Sequence, residues 1–131
     1  MTNKQLVPNP LLKTLKATYE HFPDQDTSSE HPNQFDAGLE EFLKAYGTDI
    51  TLESGEILFL EGDVADGLYW IEDGVLGILQ GDLKEPRVIT FRTKGHVVGE
   101  IALLENIQRT ASVASVTQTH LRYLASDKFH S

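Results

Sequence analysis

The residues best placed to do chemistry lie in one short stretch, Gly99 to Ala111, which reads G-E-I-A-L-L-E-N-I-Q-R-T-A. Gly99 lets the backbone turn sharply and a ligand come close. Glu100 follows directly; as a carboxylate it only accepts hydrogen bonds, so it suits a hydroxyl or amine donor. Arg109, nine residues further on, can grip a phosphate with two parallel hydrogen bonds, and Thr110 adds a hydroxyl donor. Ala111 keeps the wall low. The apolar run between them is long enough for a short helix turn, whose free backbone N–H groups would face an anion. An acid for a sugar hydroxyl beside an arginine for a phosphate describes a nucleotide pocket that needs no metal. The competing reading is an ion pair between Glu100 and Arg109 that braces the bend.

Other chemistries find less support. The five histidines, His21, His31, His96, His120 and His130, are scattered with no pair at metal-ligand spacing. Glu61, Asp63 and Asp66 fit no calcium loop and read as a solvated turn. No serine sits in a nucleophile elbow. Cysteine is absent, which removes thiol catalysis and thiolate zinc sites. Tyr69 and Trp70 read as strand residues rather than a base-stacking platform.

Composition narrows the partners. The chain has 131 residues, 40% of them hydrophobic, enough for one domain with its own core. Its net charge of −9 argues against nucleic acid or an anionic membrane surface. Within residues 84–109, however, five bases (Lys84, Arg87, Arg92, Lys94, Arg109) outnumber three acids. No apolar run approaches the roughly 18 residues of a membrane span, and no signal-peptide pattern opens the chain. A cytoplasmic, non-enzymatic domain is expected.

Several elements must position the stretch. Asn9 as cap and Pro10 at the first helical position open an amphipathic helix with Leu11, Leu12, Leu15, Tyr19 and Phe22 on one side, expected to pack on the rest of the fold. Residues 23–34 read as a polar mobile loop. A second helix is expected from Asp36 to Tyr46, striped by Leu39, Phe42, Leu43 and Tyr46 and stopped by Gly47. From Ile50 onward seven or eight short apolar or alternating runs are separated by turn formers, as in an antiparallel sandwich or barrel. E-D-G between Ile71 and Val75 is the best tight-hairpin signal. Strict alternation in R-V-I-T-F-R would put Val88, Thr90 and Arg92 on one face and Ile89 with Phe91 on the other. Ser126 reads as the cap of a helix cut short, so the chain is expected to be a fragment.

The stretch resembles the phosphate-binding cassette of cyclic nucleotide-binding domains, as in the protein kinase A regulatory subunit and catabolite activator families. The match falls on Gly99, Glu100, Ile101, Ala102, Leu103, Arg109, Thr110 and Ala111. Upstream, L-x-x-G-E-x-L-F-x-x-G-D-x-A-D-x-L-Y-x-I-x-x-G from Leu52 to Gly74 resembles the family's opening strands, and the likeness spans residues 39–131. R-T-K-G-H-V-V-G-E with R-T-A-S-V is similar to domains appended to bacterial sulfate-permease-type transporters.

The resemblance implies a mainly β fold. It would be an eight-stranded antiparallel β-roll, or jelly roll, with flanking N-terminal helices and a truncated C-terminal helix. Residues 1–35 would form an N-terminal helix and linker, and 36–131 the nucleotide-binding domain. By the same resemblance Glu100 would hold the ribose 2′-hydroxyl, and Arg109 with Thr110 the cyclic phosphate. Backbone N–H groups of Ile101 and Ala102 would assist, and Thr90 and Arg92 are candidates for the base or the pocket wall. Cyclic AMP or cyclic GMP is the implied ligand, with no other cofactor. Fusion to or association with a transporter or other effector is implied, and a homodimer stays open. Gln108 replaces the family's usual proline, and the lid helix that closes over the base is incomplete. The alternative reading is a ligand-free interaction module that has kept only the roll.

Overall fold

The computed structural model describes residues 5–22 and 37–126, without the side chains of 37–40, 101 and 103. Helices α1 (Asn9–Glu20) and α2 (Ala37–Tyr46) precede strands β1 (Thr48–Leu52), β2 (Ile57–Phe59), β3 (Gly67–Asp73), β4 (Val75–Gln80), β5 (Arg87–Thr93) and β6 (Val97–Val98). Helix α3 (Glu100–Glu105), β7 (Ser112–Ser115) and β8 (Thr119–Ala125) follow. The strands form two antiparallel four-stranded sheets, ordered β1-β8-β3-β6 and β2-β7-β4-β5. This is the expected eight-stranded β-roll.

Burial of both faces explains why some strands read as continuous apolar runs. On β3, Tyr69 and Ile71 point between the sheets, where they meet Leu52, Leu76, Val98, Val113 and Leu121. Leu68 and Trp70 face the other way and pack with Leu43 of α2. On β4, Leu76 lies between the sheets, whereas Val75 and Leu79 lie outside under α1 with Phe91, Ala114 and Val116. Each sheet therefore carries a helix on its back. Leu11 and Leu15 of α1 are buried there, and Tyr19 and Phe22 set their ring edges against Phe91 at 5.1 and 4.9 Å. Residues Gln5 to Val7 extend the attachment along the edge, with Val7 N–H bonded to Gly55 O and Ile57 N–H to Gln5 O, both at 2.9 Å.

Four local expectations are corrected. E-D-G does not close a hairpin, because β3 and β4 belong to different sheets. Gly74, at φ +110°, is where the chain crosses between them; a Cβ there would meet Thr119 Cα at 2.6 Å. The hairpin lies one strand later, between β4 and β5. Alternation along β5 is broken by a bulge: Ile78 pairs with Thr90 but Leu79 with Val88, so Ile89 is extra. Val88 thereby joins Phe91 on the α1 side, while Arg92 keeps the opposite face.

Pro8, not Asn9, is the N-cap of α1, since Asn9 is already helical and Pro10 occupies the second position. The α2 stripe is narrower than its spacing implies. Leu43 is buried, but Phe42 and Tyr46 stack on each other at 4.8 Å while remaining 39% and 59% exposed. Gly47 does end the helix, its N–H reaching Leu43 O at 2.8 Å. The loop at 23–34, Asp36, the side chain of Leu39, His31, and the turn beyond Ser126 with His130 lie outside the described residues.

Candidate functional site

Gly99 to Ala111 folds as a left-handed turn, a short helix and a return into β7. Gly99 has φ +85°, a conformation that side-chain-bearing residues rarely adopt. A Cβ there would lie 2.6 Å from Arg109 Nη1, so the two positions are fitted to each other. Helix α3 starts at Glu100 and ends in a Schellman arrangement, with Asn106 at φ 59° and Ile107 N–H bonded to Ala102 O at 3.0 Å. The chain is then pinned at Arg109 from both sides: Arg109 N–H donates to Asp63 O and Gly62 N–H to Arg109 O, each at 2.8 Å. These bonds hold the approach to Arg109 without the proline that Gln108 replaces.

The Arg109 side chain is 2% exposed. Nη1 donates to Gly99 O at 2.9 Å, and Nη2 donates to Gly67 O at 2.9 Å and to Asp66 Oδ1 at 3.4 Å. Its guanidinium lies over the Phe59 ring, 4.1 Å from the centroid. Nε is buried and has no hydrogen-bond partner. Buried donors are nearly always satisfied, so a charged one left unmet marks a place for an acceptor. The ion pair of Arg109 is with Asp66; among the described residues none joins it to Glu100.

A cavity of about 340 Å³ opens beside this group. Glu100, Ala102, Arg109, Thr110 and Ala111 form one side with Gly99, and Phe59, Ile78, Val113, Val97, Val98 and Arg92 form the rest. That volume lies at the small end of the usual range for small-molecule sites. Thr90 is not among the lining residues; its hydroxyl instead accepts from Arg92 Nη1 at 3.4 Å. The side chain of Ile101 is outside the described residues, though its backbone belongs to α3.

Sequence reasoning missed Asp66, Gly67 and Phe59, which hold the guanidinium from a distance of more than forty residues along the chain. Asp66 lies in a turn whose spacing reads as solvated, and its side chain is 69% exposed even while paired. Tyr69 is buried at 8% exposure, and its hydroxyl pKa is raised from 10 to about 12 by burial first and the Asp66 charge second. It therefore stays neutral beside Arg109 near neutral pH. Among the described residues no group of three or more His, Asp or Glu could hold a metal ion, and no helix is long and apolar enough to cross a membrane.

The model of the cyclic nucleotide-binding domain matches residues 49–131. The chain belongs to this family. The cyclic nucleotide-binding domain described here is 38% identical over 73 residues to a putative potassium channel protein of Rhodopseudomonas palustris, covering 56% of this chain and 18% of the channel. It is 36% identical over 78 residues to the human potassium/sodium hyperpolarization-activated cyclic nucleotide-gated channel 1, covering 60% of this chain and 8% of that one. The chain thus spans less than a fifth of the length of these curated relatives. Among solved structures, the EAL enzyme Bd1971 in its cAMP-bound form matches with TM-score 0.58 and 31% identity, over 62% of this chain and 22% of that one. Its cGMP-bound form matches with TM-score 0.59.

Proposed function

We propose that this regulatory domain binds a cyclic nucleotide, cyclic AMP or cyclic GMP, and acts by binding rather than catalysis. The observation that carries this reading is the buried Arg109 guanidinium, with an unmet Nε–H, on the wall of a nucleotide-sized cavity. Arg109 and the Thr110 hydroxyl take the cyclic phosphate, helped by the backbone N–H groups of Ile101 and Ala102. Glu100, half-buried on the same wall, accepts from the ribose 2′-hydroxyl. Gly99 and Ala111 leave the phosphate room to approach. Ligand contacts that differ between two arrangements of the cassette would shift their populations, which is what a sensor requires. Further support comes from the Bd1971 relative, solved with cAMP and with cGMP. The channel relatives support coupling to a larger effector.

A second reading has its own observation. The bonds from Arg109 to Gly99, Gly67 and Asp66 already brace the fold, as they would in a domain that has lost its ligand. Titration calorimetry with cyclic AMP and cyclic GMP separates the two. The sensor predicts saturable heat, weakened at least about tenfold by Arg109→Lys, which keeps the charge and loses the fork. Absence of heat at millimolar nucleotide leaves only the brace.

A further inference from the structure

In the phosphate site proposed above, the direction of the Arg109 and Thr110 side chains depends on how the backbone around them is held. The peptide plane before Arg109 is fixed by the bond from its N–H to Asp63 O, and the plane after it by the bond from Gly62 N–H to Arg109 O. The plane after Thr110 has a different holder: Gln80 Nε2 donates to Thr110 O at 3.2 Å. The pairing of β4 with β7 ends at Leu79 and Ser112, and the Gln80 amide carries it one position further with a side-chain donor. Gln80 is half-buried, and the next residue is anchored by the bond from Gly81 N–H to Glu61 Oε1 at 3.0 Å. Across the β4–β5 pair, Arg87 lies opposite Gln80, and its Nη2 donates to Gln80 Oε1 at 2.9 Å. A guanidinium only donates, so it claims the amide oxygen and turns the amide nitrogen towards the Thr110 carbonyl.

We propose that Gln80 is a positioning residue of the phosphate site, aiming the Thr110 hydroxyl, with Arg87 orienting Gln80 in turn. This rests on the reading of the cavity as a cyclic nucleotide site. With the planar peptides on both sides of the Thr110 Cα held, its φ and ψ are fixed, and the direction of the Cα–Cβ bond with them. A β-branched side chain has few χ1 positions, so the hydroxyl is set before the ligand arrives. Preorganisation of this kind raises affinity by removing an ordering cost. Gln80 is not among the residues that line the cavity, whereas Thr110 is, so the effect of Gln80 passes through Thr110. With a neutral hydrogen bond as the scale, losing the Gln80 bond weakens nucleotide binding by roughly 2- to 12-fold.

The test is a double-mutant cycle read by calorimetric titration of the whole chain with cyclic AMP and cyclic GMP. Gln80→Met keeps the length of the side chain and removes the donor; Thr110→Val keeps the shape and removes the hydroxyl. Gln80→Met should weaken binding by the factor above in the otherwise unaltered chain, and should cause no further loss in Thr110→Val. Arg87→Met should also weaken binding, and should have no effect once Gln80→Met is in place. A loss from Gln80→Met that is the same with and without the Thr110 hydroxyl, or no loss at all, overturns the role of Gln80 and leaves the nucleotide site standing. An Arg87→Met loss that persists in Gln80→Met overturns the part given to Arg87. No saturable binding of either nucleotide to the unaltered chain overturns both the positioning role and the site. Where Gln80→Met does not fold, the Gln80 side-chain amide of the unaltered chain decides the matter in a proton–nitrogen correlation spectrum. Its resonances should shift on saturation with nucleotide, and resonances that stay in place overturn the role.

Discussion

Replacing Gly99 by alanine tests whether the cassette turn and the guanidinium are mutually fitted. Two costs can be worked from the geometry. A left-handed backbone at φ +85° strains an alanine by about 1–2 kcal/mol. The new Cβ would also lie 2.6 Å from Arg109 Nη1 and 3.4 Å from Cζ. The guanidinium has little room to recede, since the Phe59 ring covers one face at 4.1 Å and Gly67 O holds Nη2 at 2.9 Å. Relieving the clash means giving up the bond to Gly99 O, and a hydrogen bond to a charged group contributes about 1.5–3 kcal/mol. Together the loss is about 3–5 kcal/mol, a large part of the 5–15 kcal/mol typical of a domain. Gly95→Ala is the control, because Gly95 has φ +90° but nothing lies within 4 Å of its would-be Cβ. Equilibrium urea unfolding should show a midpoint for Gly99→Ala lower by about 1 M or more at unchanged slope, and well below that of Gly95→Ala. Equal midpoints for the two variants would refute the fitted-pair argument.

Three more outcomes follow from the packing and charges. Leu15→Ala, in α1 at 0% exposure, should cost about 2–5 kcal/mol in the same urea assay; a cost near zero would mean that the helix does not back the second sheet. Asp66→Asn should change stability by less than about 1 kcal/mol, because its carboxylate is 69% exposed and the pair is screened; a larger loss in denaturation at physiological salt would contradict this. Tyr69 keeps its proton in the folded state up to about pH 12, whereas in the unfolded chain it ionises near 10. The unfolded state therefore binds fewer protons between those values, and stability should fall as pH rises from 10 to 12, by at most about 3 kcal/mol. Ultraviolet titration of tyrosinate should show one late-ionising residue that is missing in Tyr69→Phe.

Much of this was legible in the residues. The turn formers after Ile50 gave the strand count, and the types at Gly99, Glu100, Arg109 and Thr110 were enough to mark a wall of the cavity. What escaped depends on contacts between distant positions. Turn residues at Glu72, Asp73 and Gly74 announce a change of direction but not a change of sheet, which is decided by β8 and β7 returning from the far end of the chain. Ile89 carries nothing that distinguishes a bulge from a regular strand residue. Asp66 and Phe59 became part of the arginine's cradle only when β2 and β3 were placed beside the cassette. The exposure of Phe42 and Tyr46 was hidden because helical spacing describes a face, not what covers it.

The most direct test of the central claim is the Arg109 Nε–H resonance in a proton–nitrogen correlation spectrum, assigned by its loss in Arg109→Lys. That proton is buried and unpartnered without ligand. Saturable titration with cyclic AMP or cyclic GMP should move it downfield as it bonds to phosphate oxygen. A resonance that stays in place at millimolar nucleotide of either kind would contradict the account.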